Sequence, residues 1–206
     1  MEVTTRVATT LRTDDDLVLG VRGGDGEAFA ELVERHKRQV HGLAYRMLGN
    51  AVDAEDAAQE TFVRAYTRLG TYQPDGRFGA WLLAIAAHRC IDILRARGRR
   101  VPTVALGKVP ESDRFISPVD GPEEQALRWA VRDEVQGWLA ALPPRYRLVL
   151  TLRYFHDLTY REIADTLAEP VSTVRMRLFR ARALLQTVVA RQQGTQPQPR
   201  GRPRLA

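Results

Sequence analysis

A single cysteine, Cys90, occurs in 206 residues, which excludes an internal disulfide framework and suits a reducing cytoplasm. No apolar run approaches the roughly 20 residues of a membrane-spanning helix, so direct membrane insertion is not expected. Met1 to Thr13 also lacks the apolar segment of a signal peptide. Histidine is scarce too, four residues scattered along the chain. The sequence has no Gly-rich phosphate loop, no H-E-x-x-H and no C-x-x-C, and no repeat of roughly 20 to 50 residues that would mark a solenoid. His88 stands two residues from Cys90, so on a helix it points elsewhere, and a buried thiol is the simpler reading than a nucleophile. These absences argue against an enzyme. No metal, cofactor or small-molecule substrate is expected.

What the chain does have is apolar content for real cores, at 44%, and an excess of base. The net charge of +6 and pI near 10.0 favour an anionic partner. With no apolar run long enough to span a membrane, a polyanion is the expected partner ahead of a membrane.

Base is most concentrated where helical periodicity is clearest. Thr159 and Glu162 form a T-x-x-E capping box at a helix start, with Ile163, Ala164 and Leu167 following at helical spacing. Pro170 cannot continue that helix. Beyond it Val174, Leu178, Ala181 and Leu185 make one apolar stripe that must bury. Arg175, Arg177, Arg180, Arg182 and Arg191 meet no acid between Val171 and Arg191. Ser172, Met176, Phe179 and Arg180 fall on the opposite face, flanked by Arg175 and Arg177. Such a face suits a major groove, where guanidinium groups reach guanine edges or phosphates and apolar groups meet thymine methyls. The plainer reading is an amphipathic hairpin with a solvated basic face.

The N-terminal half reads as further helices. Asp14 to Asp16 can cap a short helix over Leu17 to Arg22. A long helix follows with Phe29, Leu32, Val33, Val40, Leu43, Ala44 and Met47 inward, stopping at Gly49-Asn50. His36, on that stripe, reads as a packed core histidine. In the next helix, Asp53 to Leu69, residues Ala54, Ala58, Phe62, Ala65 and Leu69 face inward. Asp53, Asp56, Glu60 and Val63 share the outer face. Asp53 can be the N-cap, and acid in the first turn suits the helix dipole. Glu60 lies beyond that turn, which suggests a basic partner surface, with a solvated face as the alternative. Calcium is disfavoured, because one helix face cannot wrap six or more oxygens. After the polar loop Gly70 to Arg77, Phe78 to Arg97 is helical with Phe78, Trp81, Leu82 and Ile85 on one face. Its basic end beside Tyr72 and Gln73 can hold unpaired bases, since aromatics stack on bases and arginines track phosphates. The bland reading keeps Trp81 in the core and Tyr72 at the surface.

Three stretches in order carry a resemblance: Asp53 to Phe62 (DAEDAAQETF), Phe78 to Arg97 (FGAWLLAIAAHRCIDILRAR), and Leu142 to Leu185, opening LPPRYRLVLTLRYFHDLTYREIADTLAEP. Together they resemble the extracytoplasmic-function (ECF) group of bacterial sigma factors, the alternative promoter-specificity subunits of RNA polymerase, over about Asp15 to Ala190. The resemblance implies that Asp53, Asp56, Gln59, Glu60 and Val63 face the clamp helices of the polymerase largest subunit. It implies that Tyr72, Gln73 and His88 line a pocket for a flipped base of the minus-ten element, with Arg95, Arg97, Arg99 and Arg100 along nearby phosphates. It further implies that Ser172, Arg175, Met176, Phe179 and Arg180 face bases of the minus-thirty-five element, with Thr173 and Arg177 nearer the backbone. An anti-sigma factor is the expected regulator.

Several residues depart from the family pattern. His88 stands where asparagine is common, Ala168 where the turn often has glycine, and Ser172 and Met176 replace a frequent glycine and serine. The expected architecture is all-α: two small helical domains, an N-terminal bundle and a C-terminal helix-turn-helix, joined by a flexible linker. Its segments are a flexible N-terminus 1–13, a region 2-like domain 14–97, a linker 98–122, a region 4-like domain 123–193 and a disordered tail 194–206. In the second domain a helix over Glu123 to Ala141 should turn Leu127, Val131, Val135, Trp138 and Leu139 inward. About 25 linker residues can span up to roughly 80 Å, enough to bridge two promoter elements. The alternative function is a free-standing helix-turn-helix regulator with a sensor or dimerisation domain, for which the acidic face has no evident use.

Overall fold

The computed structural model describes residues 12–75, 77–98 and 122–194. The expected linker, tail and N-terminal segment otherwise lie outside the described residues. Among the described residues the chain forms eight α-helices and no strand.

The first four helices make a bundle. Helix α1, Asp14–Arg22, starts one turn earlier than its apolar pattern because Thr13 is the cap: its hydroxyl accepts from the Asp16 amide at 3.1 Å, and the Asp16 carboxylate accepts from the Thr13 amide at 2.9 Å. Helix α2, Gly26–Leu48, is the central element and ends at Gly49, whose φ of 80° is left-handed and favours glycine. Helix α3, Ala51–Arg68, is capped by Asn50 and not by Asp53; the Asn50 side chain accepts from the Asp53 amide at 2.8 Å. After a 3-10 turn, Leu69–Thr71, helix α4 runs Phe78–Gly98. Leu17, Leu32, Leu43, Met47, Ala54, Ala65, Phe78 and Leu82 close the core between them. His36 is packed as expected, 2.7 Å from the Asp14 carboxylate and edge-on to the Phe78 ring.

Helices α5 (Pro122–Ala140), α6 (Pro144–Tyr154), α7 (Tyr160–Leu167) and α8 (Val171–Gln192) follow. Val149, Leu152, Ile163, Ala164, Val174, Leu178 and Ala181 bury where α6 and α7 pack on α8. The inward stripe expected of α5 holds only at its C-terminal end. Leu139 is buried and Val135 half-buried, but Leu127 and Val131 stand 66% and 52% exposed. Helical periodicity defines a stripe but not how far the neighbours extend along it.

The two helix groups pack together. Helix α2 touches α5 and α6, and α4 touches α6 and α7. The Arg147 guanidinium, almost wholly buried, donates across the junction to the Met47 carbonyl at 2.5 Å and within its own group to the Ala140 and Leu142 carbonyls at 2.6 and 3.1 Å. Gln136 donates to the Tyr45 carbonyl at 3.2 Å. These donors fall on the last carbonyls of α2, which a helix end leaves without intrahelical partners. Arg77 also reaches Asp165 of α7 at 3.3 Å.

Candidate nucleic-acid interface

The α7–turn–α8 unit is built locally by its caps. The Glu162 carboxylate accepts from the Thr159 amide at 2.7 Å and hydroxyl at 2.6 Å, and these bonds hold its pKa below the usual carboxylate value. Ala168 occupies the turn at φ 51°, ψ 44°, so the chain accepts a left-handed alanine where glycine would be unstrained. With Val174, Leu178 and Ala181 buried, α8 turns Ser172, Thr173, Arg175, Met176, Phe179 and Arg180 outward. Arg177 differs. It is half-buried and paired with Glu169 at 2.7 Å, so this guanidinium braces the turn against α8. Arg182 likewise donates to the Tyr160 hydroxyl at 2.7 Å. Arg175 and Arg180 have no ion pair among the described residues.

A residue the periodicity missed joins this face. Arg145, at the start of α6, lines a cleft of about 390 Å³ with Tyr146, Ser172, Thr173, Met176, Arg177 and Arg180. Its place directly after Pro143-Pro144, at a helix start beside another helix start, was the available signal.

The outer face of α3 is less acidic in effect than its composition. Asp53 pairs with Arg97, and Glu60 is held by Arg64 and Arg89, each at 2.5 Å. The basic surface that Glu60 suggests is thus supplied within the bundle, by Arg64 and Arg89. Asp56, Gln59 and Val63 remain exposed, and Val52 and Tyr66 continue the same stripe at 74% and 55% exposure. The spacing of Val52, Asp56, Gln59, Val63 and Tyr66 places them on one face, a mixed apolar and acidic strip wider than the carboxylates alone.

Along α4 the expected base pocket needs correction. Tyr72 is buried at 3% exposure, its ring packed against Phe78 and Trp81 and its hydroxyl donating to Asp15 at 2.7 Å. Burial and that carboxylate raise its pKa to about 12. The ring is a core aromatic that has found a polar partner for its hydroxyl, and it is not available for stacking. Gln73 and His88 are both exposed, the His88 Nδ1 lying 2.7 Å from the Ala84 carbonyl. His88 sits about 15 Å up the axis from the first residue of α4, and among the described residues no hydrogen bond joins it to Gln73. Arg95 is exposed, Arg97 is tied to Asp53, and Arg99 and Arg100 lie outside the described residues.

Residues 32–100 match the family model for Sigma-70 region 2, and residues 132–185 match that for Sigma-70 region 4. The RNA polymerase sigma-H factor of Pseudomonas aeruginosa is 38% identical over 177 residues, 84% of this chain and 92% of that protein. The chain belongs to the ECF sigma factors. Two named relatives place it in that branch: the ECF sigma factor SigW of Bacillus subtilis, 36% identical over 80% of this chain and 90% of its own, and the ECF sigma-E factor of Escherichia coli, 35% identical over 86% and 94%. Among solved structures, CnrH in complex with the cytosolic domain of CnrY aligns over 86% of this sigma factor and 97% of its own chain, with a TM-score of 0.64 and 26% identity. A Bartonella quintana sigma factor, RpoE, solved with the anti-sigma factor NepR, shares the fold at a TM-score of 0.59 and 19% identity over 78% and 96%. The region 2 match takes in most of α2 and all of α3 and α4, and the region 4 match runs from within α5 through α6 and α7 into α8. As an alternative sigma factor the protein directs promoter-specific transcription initiation. None of its described helices is long and apolar enough to cross a membrane.

Proposed function

We propose that this sigma factor divides its work between two units, the helices of 14–97 for polymerase docking and the minus-ten element, and those of 123–193 for the minus-thirty-five element. The exposed strip of α3 holding Asp56, Gln59 and Val63 docks on the clamp helices of core polymerase, while Asp53 and Glu60 stay with their own arginines. Gln73 and His88 contact the minus-ten region, with Arg95 near its phosphates. Ser172, Arg175, Met176, Phe179 and Arg180 face bases of the upstream element, and Thr173 faces the backbone. The observation that carries this reading is the outward face of α8, where Arg175 and Arg180 stand without an ion pair among the described residues. The protein works in the cytoplasm as a non-enzymatic subunit while polymerase does the chemistry. An anti-sigma factor restrains it, a reading supported by the partners named with CnrH and with the Bartonella protein.

Run-off transcription with bacterial core polymerase, with and without the protein, on a library of upstream fragments is the test. Transcripts that start at a fixed distance from a shared bipartite sequence only when the protein is present support the reading. A protein that neither joins core nor changes initiation, yet shifts DNA alone as a dimer, overturns it.

A further inference from the structure

Two exposed side chains on the reading face of α8 are not of the kind that phosphates or guanines call for. Met176 and Phe179 are 52% and 67% exposed, while the apolar stripe of the same helix, Val174, Leu178 and Ala181, is fully buried. Isolated exposed apolar residues are ordinary. These two are neighbours three residues apart on one helical face, with Arg175 and Arg180 beside them and the rim of the Arg145 cleft adjoining Met176. The floor of the major groove is lined almost entirely by hydrogen-bonding atoms. A thioether or phenyl ring pressed against those edges would leave them unpaired. The one apolar group that a base edge offers there is the C5 methyl of thymine.

We propose that Met176 and Phe179 read thymine methyl groups at neighbouring base pairs of the upstream promoter element. The proposal rests on the assignment of α8 to that element. Three residues of helix advance about 4.5 Å along the axis, close to the roughly 3.4 Å between successive base pairs, so the two side chains address adjacent pairs, with the thymine on either strand. Met176, unbranched and polarisable, adapts to the methyl it meets. Phe179 offers a rigid face. Arg175 and Arg180 are left for guanine edges or phosphates at the two ends of the step, which makes the selected sequence a thymine-containing centre with charged contacts outside it.

The test uses holoenzyme assembled from core polymerase and the full chain. The upstream element is first selected from a promoter library randomised in that region. Each of its thymines is then replaced singly by deoxyuridine, which removes the methyl and nothing else, and affinity is measured at fixed salt. Two adjacent positions should each lose about fourfold, the factor contributed by burying one methyl-sized group. Holoenzyme carrying Met176→Ser should lose the thymine-over-uracil preference at one of them, and Phe179→Ala at the other, with far-UV circular dichroism unchanged because both side chains are exposed. Three results overturn the inference and leave the sigma-factor reading intact: a selected element without adjacent thymine-bearing pairs, no deoxyuridine effect at any position, or variants that keep the wild-type preference. If holoenzyme forms and initiates but selects no upstream element, the assignment of α8 fails and this inference fails with it.

Discussion

Single residues carry strain and titration that helical periodicity does not display. Ala168 adopts φ 51°, a conformation that costs an L-residue roughly 1–2 kcal/mol and glycine little. Part of the gain from substitution is offset by the freedom glycine adds to the unfolded chain. Ala168→Gly should therefore stabilise the protein by about 0.5–1 kcal/mol, read as a higher urea midpoint; an unchanged or lower midpoint would mean that the turn holds no strain. His156 is the other such site. Burial, and then the nearby Arg46 guanidinium, lower its pKa to about 4 from an ordinary 6.5, with Asp157 opposing. Between those values the unfolded chain binds a proton that the folded chain does not, so stability falls as the pH drops from 6.5 towards 4, by about 3 kcal/mol at most. Urea unfolding of His156→Gln across that window should show a shallower loss than the wild type. Parallel curves would show that carboxylates account for all of it.

Elements were legible in proportion to how local their causes are. The capping box at Thr159 and Glu162, the stop at Gly49 and the buried stripe of α8 depend on neighbours within a turn or two, and the sequence displays them directly. Arg64, one turn from Glu60, lies within such reach, but the cross-helix partners do not: Arg89 of Glu60 and Arg97 of Asp53 come from a different helix, and only the packing of α3 on α4 brings them in. The burial of Tyr72 is hidden for the same reason, since its loop position says nothing of the Asp15 carboxylate that meets its hydroxyl. The structure accordingly separates two effects along α3. Asp56→Arg combined with Val63→Asp changes only exposed side chains, and should leave the thermal midpoint unchanged while weakening core polymerase binding by at least about tenfold, as loss of an interface anchor does. Glu60→Arg should lower the midpoint instead, because it leaves Arg64 and Arg89 facing a third cation. Anisotropy titration against core, paired with thermal unfolding, checks both; equal core affinity for the Asp56–Val63 double variant would remove α3 from the docking surface.

At the scale of the whole molecule, the packed arrangement and the two-element reading make opposite demands. With Arg77 against Asp165 and Arg147 on the Met47 carbonyl, the beginning of α4 and the helix-turn-helix are neighbours. Promoter elements centred about 25 base pairs apart are roughly 80 Å apart along the duplex. Both cannot hold at once. The Arg77–Asp165 pair is more than half exposed on each side and contributes little, so the resistance to separation resides in Arg147, Gln136 and the apolar surface they adjoin. Dyes at Thr71→Cys and Arg161→Cys, both exposed in the native chain and each a few residues from the Arg77–Asp165 contact, should lie within about 40 Å in the free protein. Cys90 can remain, because burial raises its thiol to about 12 and keeps it from labelling. Energy transfer should be high for the protein alone and fall sharply when it sits with core polymerase on promoter DNA. Transfer that stayed high in an initiating complex would mean that one packed body serves the promoter, and the division between the two units would have to be abandoned.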